Sequence, residues 1–222
     1  SLINGLRKFD FLNRFIHVTT PEVYGTTDGF IDEDTRYNPS TPYAVSRAGS
    51  DMVINCFYQG FGFPFCATRA SNVYGPGQQI YRIIPRTIFN ILTGTKLNLH
   101  GGGVSVRNFI HMEDTSAATF NIMNNGRDGE YYHISGDEII SIRGLVEKIC
   151  VMMNVNFDEV AVVGEERRGK DAAYMLDSTK IKNELSWAQQ ISLEKGLEET
   201  ITWLSDHIDT IKNGQIDYVH KP

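Results

Sequence analysis

Cysteine is scarce in this chain of 222 residues: there are three, Cys56, Cys66 and Cys150, with no C-x-x-C spacing. An odd, unpaired set excludes a disulfide frame and a structural zinc site. The three are expected to be buried apolar residues of a protein in a reducing, cytoplasmic compartment. The six histidines show no ligand spacing either, so no metal is expected. Basic excess is also missing, since 21 Lys and Arg against 27 Asp and Glu leave a formal charge of −6. Phosphate backbones require a concentrated basic face, so no nucleic-acid partner is expected. No apolar run approaches the roughly 20 residues that span a bilayer, so no membrane partner is expected. The opening Ser1-Leu2-Ile3-Asn4-Gly5-Leu6-Arg7-Lys8 mixes charged and apolar residues, unlike a signal peptide. No G-x-G-x-x-G fingerprint and no internal repeat occurs.

What is present is ordinary globular material. Hydrophobic residues make up 41% of the chain, enough for a core at this length. Strand-like and helix-like patterns alternate, which points to an α/β fold. Residues 15–19 (Phe-Ile-His-Val-Thr) and 65–70 (Phe-Cys-Ala-Thr-Arg-Ala) read as strands inside a parallel sheet. Between them a helix is expected over 43–58, capped by Ser40 or Thr41, with Pro42 in its first turn and Gly60 and Gly62 at its end. Further strands are expected at 96–100, 106–111 and 130–134. Helices are expected at 86–93, 112–124, from Ser141 to about 153, and from near Ser192. The last shows an apolar stripe of Leu193, Leu197, Ile201 and Leu204. Gly101-Gly102-Gly103 reads as a hairpin or tight turn.

Three segments carry candidate chemistry. Tyr43 and Arg47 are four apart on one helix face. A cation there would lower a phenol pKa from about 10, although an ordinary surface pair is the simpler reading of these two residues alone. Thr19-Thr20-Pro21-Glu22-Val23-Tyr24-Gly25 directly follows a buried strand, where ligands bind in doubly wound sheets. A strand-end turn accounts for it equally. Arg69-Ala70-Ser71-Asn72-Val73-Tyr74-Gly75-Pro76-Gly77 follows the next strand. Its Asn72 is suited to a ligand or to an Asx-turn.

In this order and spacing, the three segments resemble the extended short-chain dehydrogenase/reductase family. Within it the chain is most similar to the nucleotide-sugar 4,6-dehydratases of the dTDP-glucose type. Further matches are Ile84-Pro85, residues 102–106 with Arg107-Asn108-Phe109-Ile110-His111, Tyr132-His133-Ile134-Ser135-Gly136, residues 167–174, Leu185-Ser186-Trp187 and the final helix. The resemblance covers nearly the whole chain. It implies an incomplete Rossmann-type parallel sheet, residues 1–76 and 104–136, plus a smaller α/β substrate-binding domain, residues 77–103 and 137–222. It also implies that the family's first strands and glycine-rich NAD turn precede Ser1, so this segment alone is expected to be inactive.

The resemblance assigns catalysis to Thr20, Glu22, Tyr43 and Arg47. Tyr43 would take the sugar O4 proton while hydride leaves C4, Thr20 would bond the same oxygen, Glu22 would remove the C5 proton as water leaves C6, and the hydride would return to C6, giving a 4-keto-6-deoxy sugar nucleotide. NAD is the implied cofactor, with NADP as the alternative, against Thr19, Tyr43, Arg47, Ala70 and Ser71. A nucleotide-diphosphate sugar is the implied substrate, held by Thr20, Glu22, Asn72, Arg107, Arg167 and Lys170. Tyr74, His111 and Tyr174 are expected to be packing or supporting residues. A homodimer through the Tyr43 helix is implied, with Val53 and Phe57 on its face.

Two departures stand out. Arg47 replaces the family's Lys and is not equivalent to it. Pro21 replaces an Asp that acts as acid, and it has no proton to give. Glu22 favours dehydratase or decarboxylase over 4-epimerase. The alternatives are an epimerase or decarboxylase on the same fold, or a catalytically inactive binding or assembly subunit.

Overall fold

The strand expected at the start of the chain forms the edge of a parallel sheet in the computed structural model, which describes residues 2–164, 175–214 and 216–217. In chain order the elements are α1 (Leu2–Leu6), β1 (Phe15–Val18), β2 (Phe30–Ile31), α2 (Pro42–Phe61), β3 (Phe65–Ala70), β4 (Asn72–Tyr74), α3 (Ile83–Thr93), β5 (Leu97–His100), β6 (Val106–His111) and α4 (Met112–Asn125). There follow β7 (Tyr131–Ile134), β8 (Ile139–Ser141), α5 (Ile142–Met152), α6 (Phe157–Val160), β9 (Ala161–Gly164), β10 (Met175–Leu176), α7 (Thr179–Leu185) and α8 (Leu193–Ile211).

The first sheet has the order β1-β3-β7, parallel throughout, with Phe15 opposite Phe65 and Ala67 opposite Tyr131. Parallel neighbours require a long crossover, and α2 supplies it between β1 and β3. Thr41 caps that helix by accepting from the Ala44 N–H at 3.1 Å, and Pro42 occupies the first turn. Gly62, at φ 65°, ends it. The helix runs through Gly60 to Phe61, past the expected stop, because only Gly62 takes the left-handed conformation. Its buried positions Ala44, Ala48, Asp51 and Ile54 form one stripe against the sheet. β3 is buried along its whole apolar run, as a strand covered on both faces should be.

A second assembly lies beside this sheet. β4 and β6 pair parallel and β6 and β8 antiparallel, while β5 pairs parallel with β9. Around them α3, α5 and α8 bury Ile84, Ile88, Leu145, Ile149, Leu197 and Leu204 in one cluster. The stripe read on the last helix therefore faces this core. The glycine triplet is a tight turn with φ of 58°, 65° and 70°. It is not a hairpin, because β5 and β6 pair with other strands.

Two local expectations need correction. Residues 72–74, read as part of a ligand or Asx loop, form β4, because Asn72 pairs opposite Phe109. Cys66 and Cys150 are buried free thiols, but Cys56 is exposed, since it lies on the face of α2 turned away from the sheet.

Candidate active site

The carboxyl ends of β1 and β3 open onto one cleft of about 1200 Å³. Thr19, Thr20, Glu22, Tyr43, Ala70, Ser71, Asn72 and Arg107 all line it. Thr19 and Thr20 follow β1, and Ala70 ends β3 with Ser71 and Asn72 just past it, because parallel strands deliver their carboxyl ends to the same side; Arg107 reaches the same cleft from the start of β6. Arg82, Arg86 and Lys96 line the same cleft. Arg167 and Lys170, together with Tyr174, lie outside the described residues.

Each side chain has a local reason for its place. Thr20 precedes a single 3₁₀ turn, Pro21–Tyr24, and its Oγ1 accepts from the Glu22 N–H at 3.3 Å. Its own hydroxyl proton remains for another acceptor. Gly25 closes the turn at φ 67°, where a Cβ would stand 2.2 Å from the Asn38 carbonyl oxygen. Only glycine fits, and the loop so pinned aims Glu22 at the cleft. Tyr43 sits in the first turn of α2 with 54% of its surface exposed. Asn72 donates from Nδ2 to the Asn108 carbonyl at 3.1 Å, a bond across two strands and not an Asx-turn. Arg107 donates to the Val106 carbonyl at 2.8 Å. Ser71 is buried, and its Oγ has no hydrogen-bond partner among the described residues.

Arg47 departs from the picture of a cation on the cleft wall. It does not line the cleft, and its guanidinium donates to the Val18 carbonyl at the end of β1. Tyr74 and His111 are buried, their rings 5.5 Å apart edge-on, as expected of packing residues.

A buried polar network behind the cleft was not read from the sequence. Arg69, wholly inside, donates to Asp51 at 2.8 Å and to the hydroxyls of Tyr24 and Tyr37. Asp51 also bonds His17 Nε2 at 2.8 Å, and its backbone carbonyl accepts from the Tyr131 hydroxyl at 3.0 Å. Tyr24 and His133 Nε2 are 2.7 Å apart. Burial alone would push the Asp51 carboxyl up, but hydrogen bonds from His17 and Arg69 outweigh it and hold it below its ordinary value. Burial opposes the Arg69 charge too, and Tyr24, Tyr37 and Asp51 more than compensate. Burial, helped by Arg69, drives His133 down to about 3. The signal available in the sequence was the Arg inside Phe-Cys-Ala-Thr-Arg-Ala, since a charge within a buried strand demands a partner.

A family model for GDP-mannose 4,6 dehydratase matches residues 1–200. The chain belongs to that family. Among family relatives, a dTDP-glucose 4,6-dehydratase of Mycobacterium tuberculosis is 36% identical over 203 residues, covering 87% of this chain and 60% of the relative. One from Neisseria gonorrhoeae is 31% identical over 207 residues, with 87% and 60% covered. The chain thus spans about 60% of the length of the curated relatives it matches. A solved dTDP-glucose 4,6-dehydratase of Streptomyces venezuelae with NAD and TYD bound superposes with TM-score 0.89 at 33% identity, covering 94% of this chain and 65% of that one. One from Bacillus anthracis in complex with NAD gives 0.90 at 32%, with 95% and 67% covered. The resemblance to dehydratases of the extended short-chain dehydrogenase/reductase type is thereby borne out, as is the α/β fold with parallel sheets.

Proposed function

We propose that the protein containing this chain is an NAD-dependent nucleotide-sugar 4,6-dehydratase. The observation that carries the reading is the convergence of Thr20, Glu22 and Tyr43 on one cleft at the carboxyl end of β1. NAD, or NADP, fits the wall formed by Thr19, Ala70 and Ser71, where the buried Ser71 hydroxyl lacks a partner that a polar cofactor group would supply. The bound nicotinamide supplies reversible hydride acceptance.

The chain's own residues do the rest. Thr20 donates to the sugar O4, and Tyr43 takes its proton as the C4 carbon is oxidised. The resulting ketone acidifies the C5 hydrogen. Glu22 removes that proton, the C6 hydroxyl leaves as water, and the hydride taken from C4 would then return to C6 while C5 regains a proton, giving a 4-keto-6-deoxy sugar nucleotide. Pro21 cannot protonate the leaving group, so that proton comes from Glu22 itself or from water. Arg47 acts from behind, holding α2 to the end of β1. Asn72, Arg107, Arg167 and Lys170, with Arg82 and Arg86, form the grip for a nucleotide diphosphate. Guanidinium groups suit phosphate oxygens. In this reading residues 1–76 and 104–136 carry the cofactor half and 77–103 with 137–222 the sugar-nucleotide half.

We further assign a homodimer, supported by the exposed stripe Val45, Met52 and Val53 on α2. Phe57 does not belong to that stripe, because it packs inward on the cluster around Ile54 and Phe65. A cytoplasmic location fits the free thiols. No helix among the described residues is long and apolar enough to cross a membrane.

The test is incubation of the natural full-length protein with NAD and a panel of nucleotide-hexoses, reading each product's mass. Loss of one water supports dehydration despite Pro21. Loss of carbon dioxide means decarboxylation, and unchanged mass with altered configuration means epimerisation. NAD binding without any reaction across the panel favours the inactive binding subunit.

A further inference from the structure

Tyr43, Arg47 and Asp51 recur at i, i+4 and i+8, along one face of α2. The second and third bind consecutive residues of β1: Arg47 meets the Val18 carbonyl, and Asp51 meets the His17 imidazole at 2.8 Å. The first has no such anchor. Tyr43 is half exposed, so the place of its hydroxyl is inherited from the helix. Ala44 and Ala48 let that helix approach closely, and Ala48 packs against Val23 and Tyr24 of the turn that bears Glu22. Small apolar contacts permit sliding, whereas hydrogen bonds to a sealed charge fix register.

We propose that Asp51 is a positioning residue: through His17 and Arg69 it sets the depth and rotation of α2 against the end of β1, and so where Tyr43 stands relative to Thr20 and Glu22. Its carboxylate touches β1 through His17 and β3 through Arg69, and its carbonyl touches β7 through Tyr131. The same guanidinium donates to Tyr24 in the turn Pro21–Tyr24. One carboxylate thereby ties together the three segments that carry Thr20, Glu22 and Tyr43. The assignment of a role to these positions rests on the dehydratase reading; the clamp itself rests on the contacts alone.

The test uses His17→Leu and His17→Gln in the natural full-length protein, because removing Asp51 or Arg69 would strand a buried charge and endanger folding. Leu deletes one bond to the carboxylate, and Gln can restore it through its amide N–H. Losing one hydrogen bond should raise amide exchange over residues 43–47 about tenfold in His17→Leu, leave α8 unchanged, and return to wild type in His17→Gln. On any nucleotide sugar that the wild type turns over, kcat should fall about 10- to 100-fold beyond any loss of folded protein, at nearly constant KM, since small misplacements are costly. His17→Gln should recover it. Unchanged exchange over 43–47, an equal rise in α8, a kcat loss matching the folded fraction, or no rescue by Gln overturns the proposal. A wild type inactive on the whole panel, with exchange shifted as expected, removes the dehydratase reading and leaves the clamp standing.

Discussion

Asp51 Oδ2 accepts a hydrogen bond from Arg69 at 2.8 Å where both side chains are completely sealed from water. Two opposite charges in such a place are costly to bury and costlier to separate. Arg69→Met alone should therefore destabilise the protein by about 3–5 kcal/mol, because it strands the carboxylate. The double variant Arg69→Met with Asp51→Leu should recover part of that loss. Urea denaturation of the three proteins checks both statements, and equal stability of the single variant and wild type would refute the first.

His133 provides the pH dependence. Its folded value is about 3 while an unfolded histidine titrates near 6.5. Between those values the unfolded chain binds the extra proton, so stability falls as pH falls through that window. From pH 6.5 to pH 5 the loss should be about 2 kcal/mol from this residue. Glu33, whose carboxyl is pushed up by burial, works in the opposite direction near its own lower range. Comparing wild type with His133→Gln isolates the histidine, and the variant should show the shallower slope in denaturation midpoints between pH 7 and pH 5.

In the proposed reaction Glu22 is the base, and Glu22→Gln keeps the shape of the side chain while removing that function. Turnover to the deoxy product should drop about 10²- to 10⁴-fold, and exchange of the sugar C5 hydrogen with deuterated solvent should stop. Oxidation at C4, assigned in the proposed reaction to Tyr43 and Thr20, should persist as absorbance of the reduced cofactor. C5 exchange at the wild-type rate would assign the base elsewhere.

Gly196 on α8 faces Tyr74, and a Cβ there would lie 2.2 Å from its hydroxyl oxygen. Alanine is normally the better helix residue, by up to about 1 kcal/mol. Here overpacking should win, and Gly196→Ala should lower stability by about 1–3 kcal/mol, read from thermal or urea unfolding. A stabilised variant would show that the tyrosine yields freely.

Much of the fold was legible because its signals are local. The Thr41 cap and the Gly62 stop bracket α2, and the uninterrupted apolar run of β3 announces burial on both faces. β4 was missed because three residues carry no usable period, and its pairing partner Phe109 lies 37 positions away (109 − 72). Cys56 was misplaced for a similar reason: composition says that cysteines are usually inside, while only the packed helix says which face points out.

The order of residues alone placed Thr20, Glu22, Tyr43 and Asn72 just past a strand or just inside a helix, because those boundaries are written in caps, prolines and glycines, and all four line one cleft. Where the charges go was settled by packing. Arg47 and Tyr43 share a helix face in any reading, yet the guanidinium turns to the Val18 carbonyl at the end of β1 and not to the cleft. Asp51 stands 34 positions from His17 and 18 from Arg69 along the chain. They become one network only when three parallel strands and a crossover helix exclude water from the space between them.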